Sequence, residues 1–122
     1  MGTPALRAIE WDGTPWDDPS DDKLHDLLAD MNMTWRFVVV QRLGLEPADQ
    51  HYMQVHLNDD LSYQVEYRDG GPDRHFYAHV PRTHEVFAVE PAAEVLQAWA
   101  RDRPGWRSAL PWAPWPPAEP AP

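Results

Sequence analysis

The chain contains no cysteine and only one lysine, Lys23, among its 122 residues. The absence of cysteine excludes disulfides, thiolate catalysis and cysteine-based zinc sites. No stretch approaches the roughly 20 apolar residues of a membrane-spanning helix. Residues 1–10 also contain no basic region followed by an apolar run, which a secretory signal would require. We therefore expect a cytoplasmic protein whose length corresponds to one domain with one core.

The sequence also lacks the signatures of the common catalytic sites. It has no glycine-rich phosphate loop and no nucleophile elbow, and Ser62 lies beside a turn without an activating neighbour. Motifs therefore predict no catalytic residue and no cofactor.

Acidic residues outnumber basic ones by 20 to 10, which gives a net charge of −10. This balance opposes non-specific binding to nucleic acid and to anionic lipid. Residues 1–33 hold eight of the acids and two bases, so this part of the chain carries a net charge of −6. These carboxylates either form the solvated face of a helix or attract a basic partner. We predict a basic protein partner, no nucleic acid and no membrane.

Composition divides the chain into three parts. Residues 1–19 are interrupted by three prolines and by Gly13, which predicts an irregular arm with room for one short strand at Arg7 to Trp11. Residues 20–110 form the predicted domain, and residues 111–122 form a tail rich in proline and tryptophan.

The C-terminal stretch has two interpretations. Seven prolines from Pro104 onwards predict no regular structure. Either Trp106 and Trp112 fold back to close the core, or a polyproline segment displays Trp115 to a partner.

A helix is predicted to begin after Ser20. This residue is a good N-cap, and Asp21 and Asp22 lie where the helix dipole favours negative charge. The spacing of the following apolar residues is helical, at Leu24, Leu27, Leu28 and Met31. One side of this helix is therefore expected in the core.

Strands follow the helix. The β-branched and aromatic run from Thr34 to Arg42 predicts a strand that is covered on both faces and central in the sheet. Three alternating segments, His51–Leu57, Ser62–Arg68 and Arg74–Val80, are separated by turn-forming residues and predict an antiparallel meander. His84 to Val89 would add either a fifth strand or an extended bridge.

A second helix is predicted from Pro91 to Arg101. Proline is favourable at the start of a helix, and Val95, Leu96 and Trp99 share one side. The order of elements predicts an α+β fold: an antiparallel four- to five-stranded sheet with an N-terminal and a C-terminal helix packed on one face.

Alternation along the three segments of the meander separates apolar from polar side chains, because successive residues of a strand point to opposite faces. The apolar sets, such as Met53, Val55 and Leu57, would face the core. The polar sets would then share one surface, here called the polar face. Its residues are Tyr52, Gln54, His56, Gln64, Glu66, Arg68, His75, Tyr77 and His79.

A metal site on this face is not predicted. His75 and His79 have a spacing that chelates an ion on a helix, but four residues of a strand span about 13 Å. A site would need side chains from several strands, for instance His56, Glu66 and His75 or His79. Hydrogen-bonded or solvated histidines are the commoner outcome.

Acid–base chemistry is the alternative to a binding role. A small-molecule-binding protein or a metal-independent enzyme would use Glu66 with His56 or His75 and with Arg68, because these groups can accept, donate and stabilise charge. The same residues could instead pair across strands and stabilise the sheet.

Short motifs resemble the actinobacterial immunity proteins of polymorphic toxin systems over roughly Asp21 to Trp112. They are YMQV from Tyr52, YQVEYRDG from Tyr63, and VLQAW from Val95 followed by Trp106 and by LPW from Leu110. The resemblance implies a non-catalytic α+β antitoxin-like protein that covers the active site of a cognate toxin. We therefore predict a protein-binding domain that neutralises a basic toxin domain through its polar face.

Overall fold

The protein is described by a computed structural model that covers residues 4–32, 34–81 and 89–114. A seven-stranded antiparallel sheet has the order β2-β1-β3-β4-β5-β6-β7. The strands are β1 (Leu6–Glu10), β2 (Pro15–Asp17), β3 (Phe37–Arg42), β4 (His51–Leu57), β5 (Tyr63–Asp69), β6 (His75–Val80) and β7 (Ala113–Pro114). The helices are α1 (Asp21–Ala29), α2 (Glu90–Ala100) and α3 (Trp106–Ala109), with a 3-10 turn at Pro72–Arg74. The α+β class is confirmed, but the sheet has more strands than the four or five predicted.

Two of the additional strands, β1 and β2, lie within residues 1–19. The prediction that this stretch forms an irregular arm was therefore wrong. β1 falls at the short strand that the sequence allowed, and its Ala8 pairs with Val40 of β3. Gly13 adopts a φ of +90°, which favours glycine and reverses the chain between β1 and β2. Pro15 is tolerated in β2 because this strand forms the edge of the sheet.

The C-terminal stretch is also more regular than predicted. α3 forms after Gly105, and Ala113 of β7 pairs with Tyr77 of β6. Trp106 and Trp112 pack on Tyr67 with ring centroids 4.8 and 4.7 Å away, which agrees with the first of the two interpretations. Trp115 lies outside the described residues, as does the segment predicted from His84 to Val89, apart from Val89 itself.

The core lies between one face of the sheet and the helices α1 and α2. Ser20 caps α1 by accepting a hydrogen bond from the Lys23 backbone N–H at 3.1 Å. The predicted apolar sides of both helices are buried: Leu24, Leu27 and Leu28 in α1, and Val95, Leu96 and Trp99 in α2. They meet the inward residues of the strands, among them Val40, Met53 and Val65. None of the helices in the described residues combines the length and the apolar character needed to cross a membrane.

β3 differs from its prediction as a strand covered on both faces. It is interior, but β4 occupies the middle of the sheet. Val38 and Val40 are buried under the helices, whereas Phe37 and Val39 are only half-buried on the opposite face. Trp35 precedes the strand and is 44 % exposed. Among the residues that the structure describes, helices cover only one face of the sheet. The β-branched run therefore forms a strand that is buried on one side only.

Candidate functional site

The polar face forms a regular grid on β4, β5 and β6, opposite the helices. The predicted meander is confirmed by the strand pairing. Three rows cross the strands: Tyr52, Arg68 and His75; Gln54, Glu66 and Tyr77; His56, Gln64 and His79. The structure therefore brings all nine predicted residues onto one surface.

A chain of hydrogen bonds runs through the middle of this face. His75 Nε2 lies 3.1 Å from Glu66 Oε1, and the Arg68 Nε–H donates to His75 Nδ1 at 3.1 Å. Gln64 donates to Glu66 Oε2 at 3.1 Å, and Arg68 Nη1 donates to Gln50 Oε1 at 3.0 Å. These five side chains form one continuous network.

The network fixes the state of the His75 ring. Because Nδ1 accepts from Arg68, the ring proton lies on Nε2 and is donated to Glu66. The side chains of His75 and Glu66 are only 8 % and 14 % exposed. Both ring nitrogens and both carboxylate oxygens are thus engaged by neighbouring side chains, and little of either group reaches solvent.

Other residues of the polar face lie around this network. Tyr52 makes an edge contact with the His75 ring at 5.8 Å, and the Arg68 guanidinium lies 5.6 Å from the Tyr52 ring centroid. His56 Nδ1 lies 3.4 Å from Asn58 Oδ1, and His79 is exposed. His56 therefore does not form the predicted alternative pair with Glu66, whereas His75 does.

Sequence reasoning missed several members of the surface. Gln50 lies in the connection before β4, so no strand pattern marked it. Phe37, Val39 and Ile9 continue the face across β3 and β1, where Val39 pairs with Gln54 and Ile9. The alternation of Val38 and Val40 with their neighbours was the available signal, but it was hidden by the uniformly apolar run.

Cavities lie elsewhere in the described part of the chain. One of about 290 Å³ lies between α2 and α3 and is lined by Val95, Ala98 and Trp106. Another of about 300 Å³ is lined by Leu6, Arg42 and Arg101. Neither is lined by a residue of the polar face. Within the described ranges, no group of three or more histidine or carboxylate side chains is arranged to hold a metal ion.

The charge of the polar face is balanced. Its one carboxylate, Glu66, and its one guanidinium, Arg68, are joined through His75. The net charge of −10 is therefore located on other surfaces, in large part on the first 33 residues.

No protein-family model, curated protein or solved structure matches the chain. The resemblance to immunity proteins stays a prediction.

Proposed function

We propose that the chain is a non-catalytic protein-binding domain whose polar face contacts a basic protein partner. The observation that carries this proposal is the fully engaged network of Glu66, His75 and Arg68 on a sheet face opposite the helices. The engagement of these groups restrains their side chains before a partner arrives. Such restraint lowers the entropic cost of binding.

The same network argues against an acid–base role. A general base needs a free lone pair within hydrogen-bond reach of a substrate proton. In His75 one nitrogen accepts from Arg68 and the other carries the proton donated to Glu66. The two cavities described above lie away from these groups.

The composition of the surface fits a protein interface. Tyr52 and Arg68 belong to the residue types enriched at interfaces. Beside them, Phe37, Val39 and Ile9 add half-buried apolar side chains. Apolar and polar groups thus lie side by side on an extended sheet, as in the centre and rim of a binding surface.

Two observations support the partner class. The net charge of −10 favours a basic protein and attracts it over distance. The short motifs from Tyr52 and Tyr63, which resemble those of immunity proteins, both lie on strands of the polar face. We therefore assign the partner to the basic toxin domains that immunity proteins of polymorphic toxin systems neutralise.

Capture of the partner from native cells tests the proposal. The double variant Gln54→Arg/His79→Arg places two positive charges on the polar face. Glu94→Arg changes the net charge equally on an exposed position of α2. We expect the unmodified chain and Glu94→Arg to retain a basic protein, identified by mass spectrometry. We expect the double variant to lose it because like charges across an interface repel.

Circular dichroism checks that both variants keep the fold. Capture of no protein by the unmodified chain would contradict the proposal, as would equal capture by the two variants. The finer assignment predicts that the captured protein is toxic when expressed alone and harmless when co-expressed with this chain. A non-toxic partner would retain the binding role and reject the immunity role.

A further inference from the structure

Three exposed tryptophans lie at the edge of the molecule formed by the β1–β2 hairpin and α1. Trp11 and Trp16 are 39 % exposed and Trp35 is 44 % exposed, while Trp99 and Trp106 are buried. The Trp11 and Trp35 rings are 6.3 Å apart at a tilt of 32°. Large exposed indoles in one place indicate an interaction surface.

Carboxylates surround these rings. Glu10 and Asp30 line the same small crevice as Trp11 and Trp35. Asp30 follows Lys23 by seven residues, two helical turns, so both lie on one side of α1, and Asp26 lies between them. We call this surface the tryptophan–acid patch; it consists of Glu10, Trp11, Trp16, Asp26, Asp30 and Trp35.

The two acids beyond the first turn of α1, Asp26 and Asp30, are poorly placed for the stability of the helix itself. Asp22, Asp26 and Asp30 are exposed and four residues apart, and like charges at this spacing repel. Asp30 is the C-cap, where the helix dipole disfavours negative charge, and the last turn contains no basic residue. An attractive partner outside the helix would offset this cost.

One indole of the patch already binds a cation. The ammonium of Lys23 lies 3.6 Å from the ring centroid of Trp16, and the Trp16 Nε1–H donates to Glu10 Oε2 at 2.9 Å. An indole face with a carboxylate at its edge is an arrangement that favours a cation. Trp11 and Trp35, with Glu10 and Asp30 beside them, offer the same chemistry at the exposed end of the patch.

We propose that the tryptophan–acid patch binds an arginine-containing basic segment of a protein partner. Guanidinium groups stack on indoles and pair with carboxylates at the same time, which matches both components of the patch. The inference rests on the proposed binding function but concerns a different surface. It locates the recognition of positive charge at the N-terminal edge, since the polar face is itself balanced in charge.

A synthetic peptide in which arginine alternates with glycine tests this inference directly, with binding measured by titration calorimetry. The same peptide with citrulline in place of arginine keeps the shape and removes the charge. We expect the arginine peptide to bind, the citrulline peptide to bind at least about tenfold more weakly, and affinity to fall with salt.

Variants locate the site. Trp11→Ala/Trp35→Ala should weaken the arginine peptide about tenfold, and Glu10→Gln/Asp30→Asn should weaken it at least about threefold. Leu45→Ala, at an exposed apolar position away from the patch, and Asp102→Asn, an exposed acid beyond α2, serve as matched controls and should bind as the unmodified chain does.

Absence of peptide binding, equal binding of the citrulline peptide, or equal binding by the patch variants and their controls would overturn the inference. Concentration-dependent dimerisation that Trp11→Ala/Trp35→Ala abolishes would overturn it too, because it would assign the patch to a second copy of the chain. The variant Gln54→Arg/His79→Arg should still bind the peptide. The peptide titration thus tests the tryptophan–acid patch alone, whereas the capture experiment tests the polar face, so one proposal can fail without the other.

Discussion

At the scale of one residue, His75 is a potentially reactive side chain whose two ring nitrogens are both hydrogen-bonded within the sheet. Its ring lies between a guanidinium donor at Nδ1 and a carboxylate acceptor at Nε2. A histidine beside a glutamate is the usual composition of an acid–base site. Here the third neighbour, Arg68, occupies the nitrogen that such a site would present to its substrate.

Strand alternation was sufficient to place every residue of the polar face, because the side-chain period of a strand is fixed by backbone geometry. It was insufficient to pair them. The contact between Glu66 and His75, rather than His56, depends on the register of β5 with β6, which the turn at Asp69–Asp73 sets. Gln50 could not be predicted, because it lies outside the alternating strand pattern and its partner Arg68 is 18 residues further along the chain.

A second histidine, His25, predicts a pH dependence of stability. Its Nε2 lies 2.8 Å from Glu90 Oε1, and this hydrogen bond, with lesser help from the charges of Glu90 and Asp26, raises the pKa of His25 above its usual value. A raised pKa in the folded state means that the folded chain holds the proton more tightly than the unfolded chain. The pair therefore stabilises α1 against α2 at low pH and ceases to do so as pH rises through the raised pKa.

Urea unfolding of the unmodified chain and of His25→Gln measures this effect. The excess free energy of unfolding of the unmodified chain should be fully present below about pH 6.5, the ordinary pKa of histidine, and should be lost as pH rises through the raised pKa of His25. His79→Gln, at an exposed histidine, is the control. A His25 difference that is constant or grows towards alkaline pH would refute the role assigned to the pair.

At the scale of elements, the ends of the chain departed furthest from prediction. β2 and β7 are only three and two residues long and contain Pro15 and Pro114, so their local sequences do not favour strands. β2 adds to β1, which itself pairs with β3, and β7 adds to the edge of β6. The longer elements α1, α2 and β4 to β6 have strong periodicity of their own and could be predicted.

Buried tryptophans hold the C-terminal elements against the sheet. Trp106 is 7 % exposed, packs edge-on against Tyr67 and accepts the Trp112 indole N–H at its backbone carbonyl at 3.3 Å. Truncation of such a side chain loses its burial and leaves a cavity. Trp106→Ala should therefore reduce the free energy of unfolding by about 3–5 kcal/mol.

Trp35→Ala makes the same chemical change at an exposed position outside the core. Its cost should stay within about 0.5 kcal/mol. Urea denaturation of both variants gives the comparison. Equal costs would mean that α3 and β7 do not close the core in the way described.

At the scale of the whole molecule, the two proposed binding surfaces have different properties. The polar face is balanced in charge, internally hydrogen-bonded and opposite the helices. The tryptophan–acid patch carries exposed indoles and part of the negative charge of residues 1–33. The acidic balance of the sequence predicts a basic partner. The strand pattern alone could not show that the acidic residues and the polar face lie on separate surfaces, because their positions depend on how β1 and α1 pack beside the meander.

Hydroxyl-radical footprinting of the chain with and without its captured partner shows whether the polar face is the interface, since exposed aromatic and histidine side chains are oxidised and those in an interface are protected. We expect oxidation of Tyr52, Tyr77 and His79 to fall when the partner is bound, while that of Leu45 is unchanged. Unchanged oxidation of all three polar-face residues in the presence of a bound partner would contradict it.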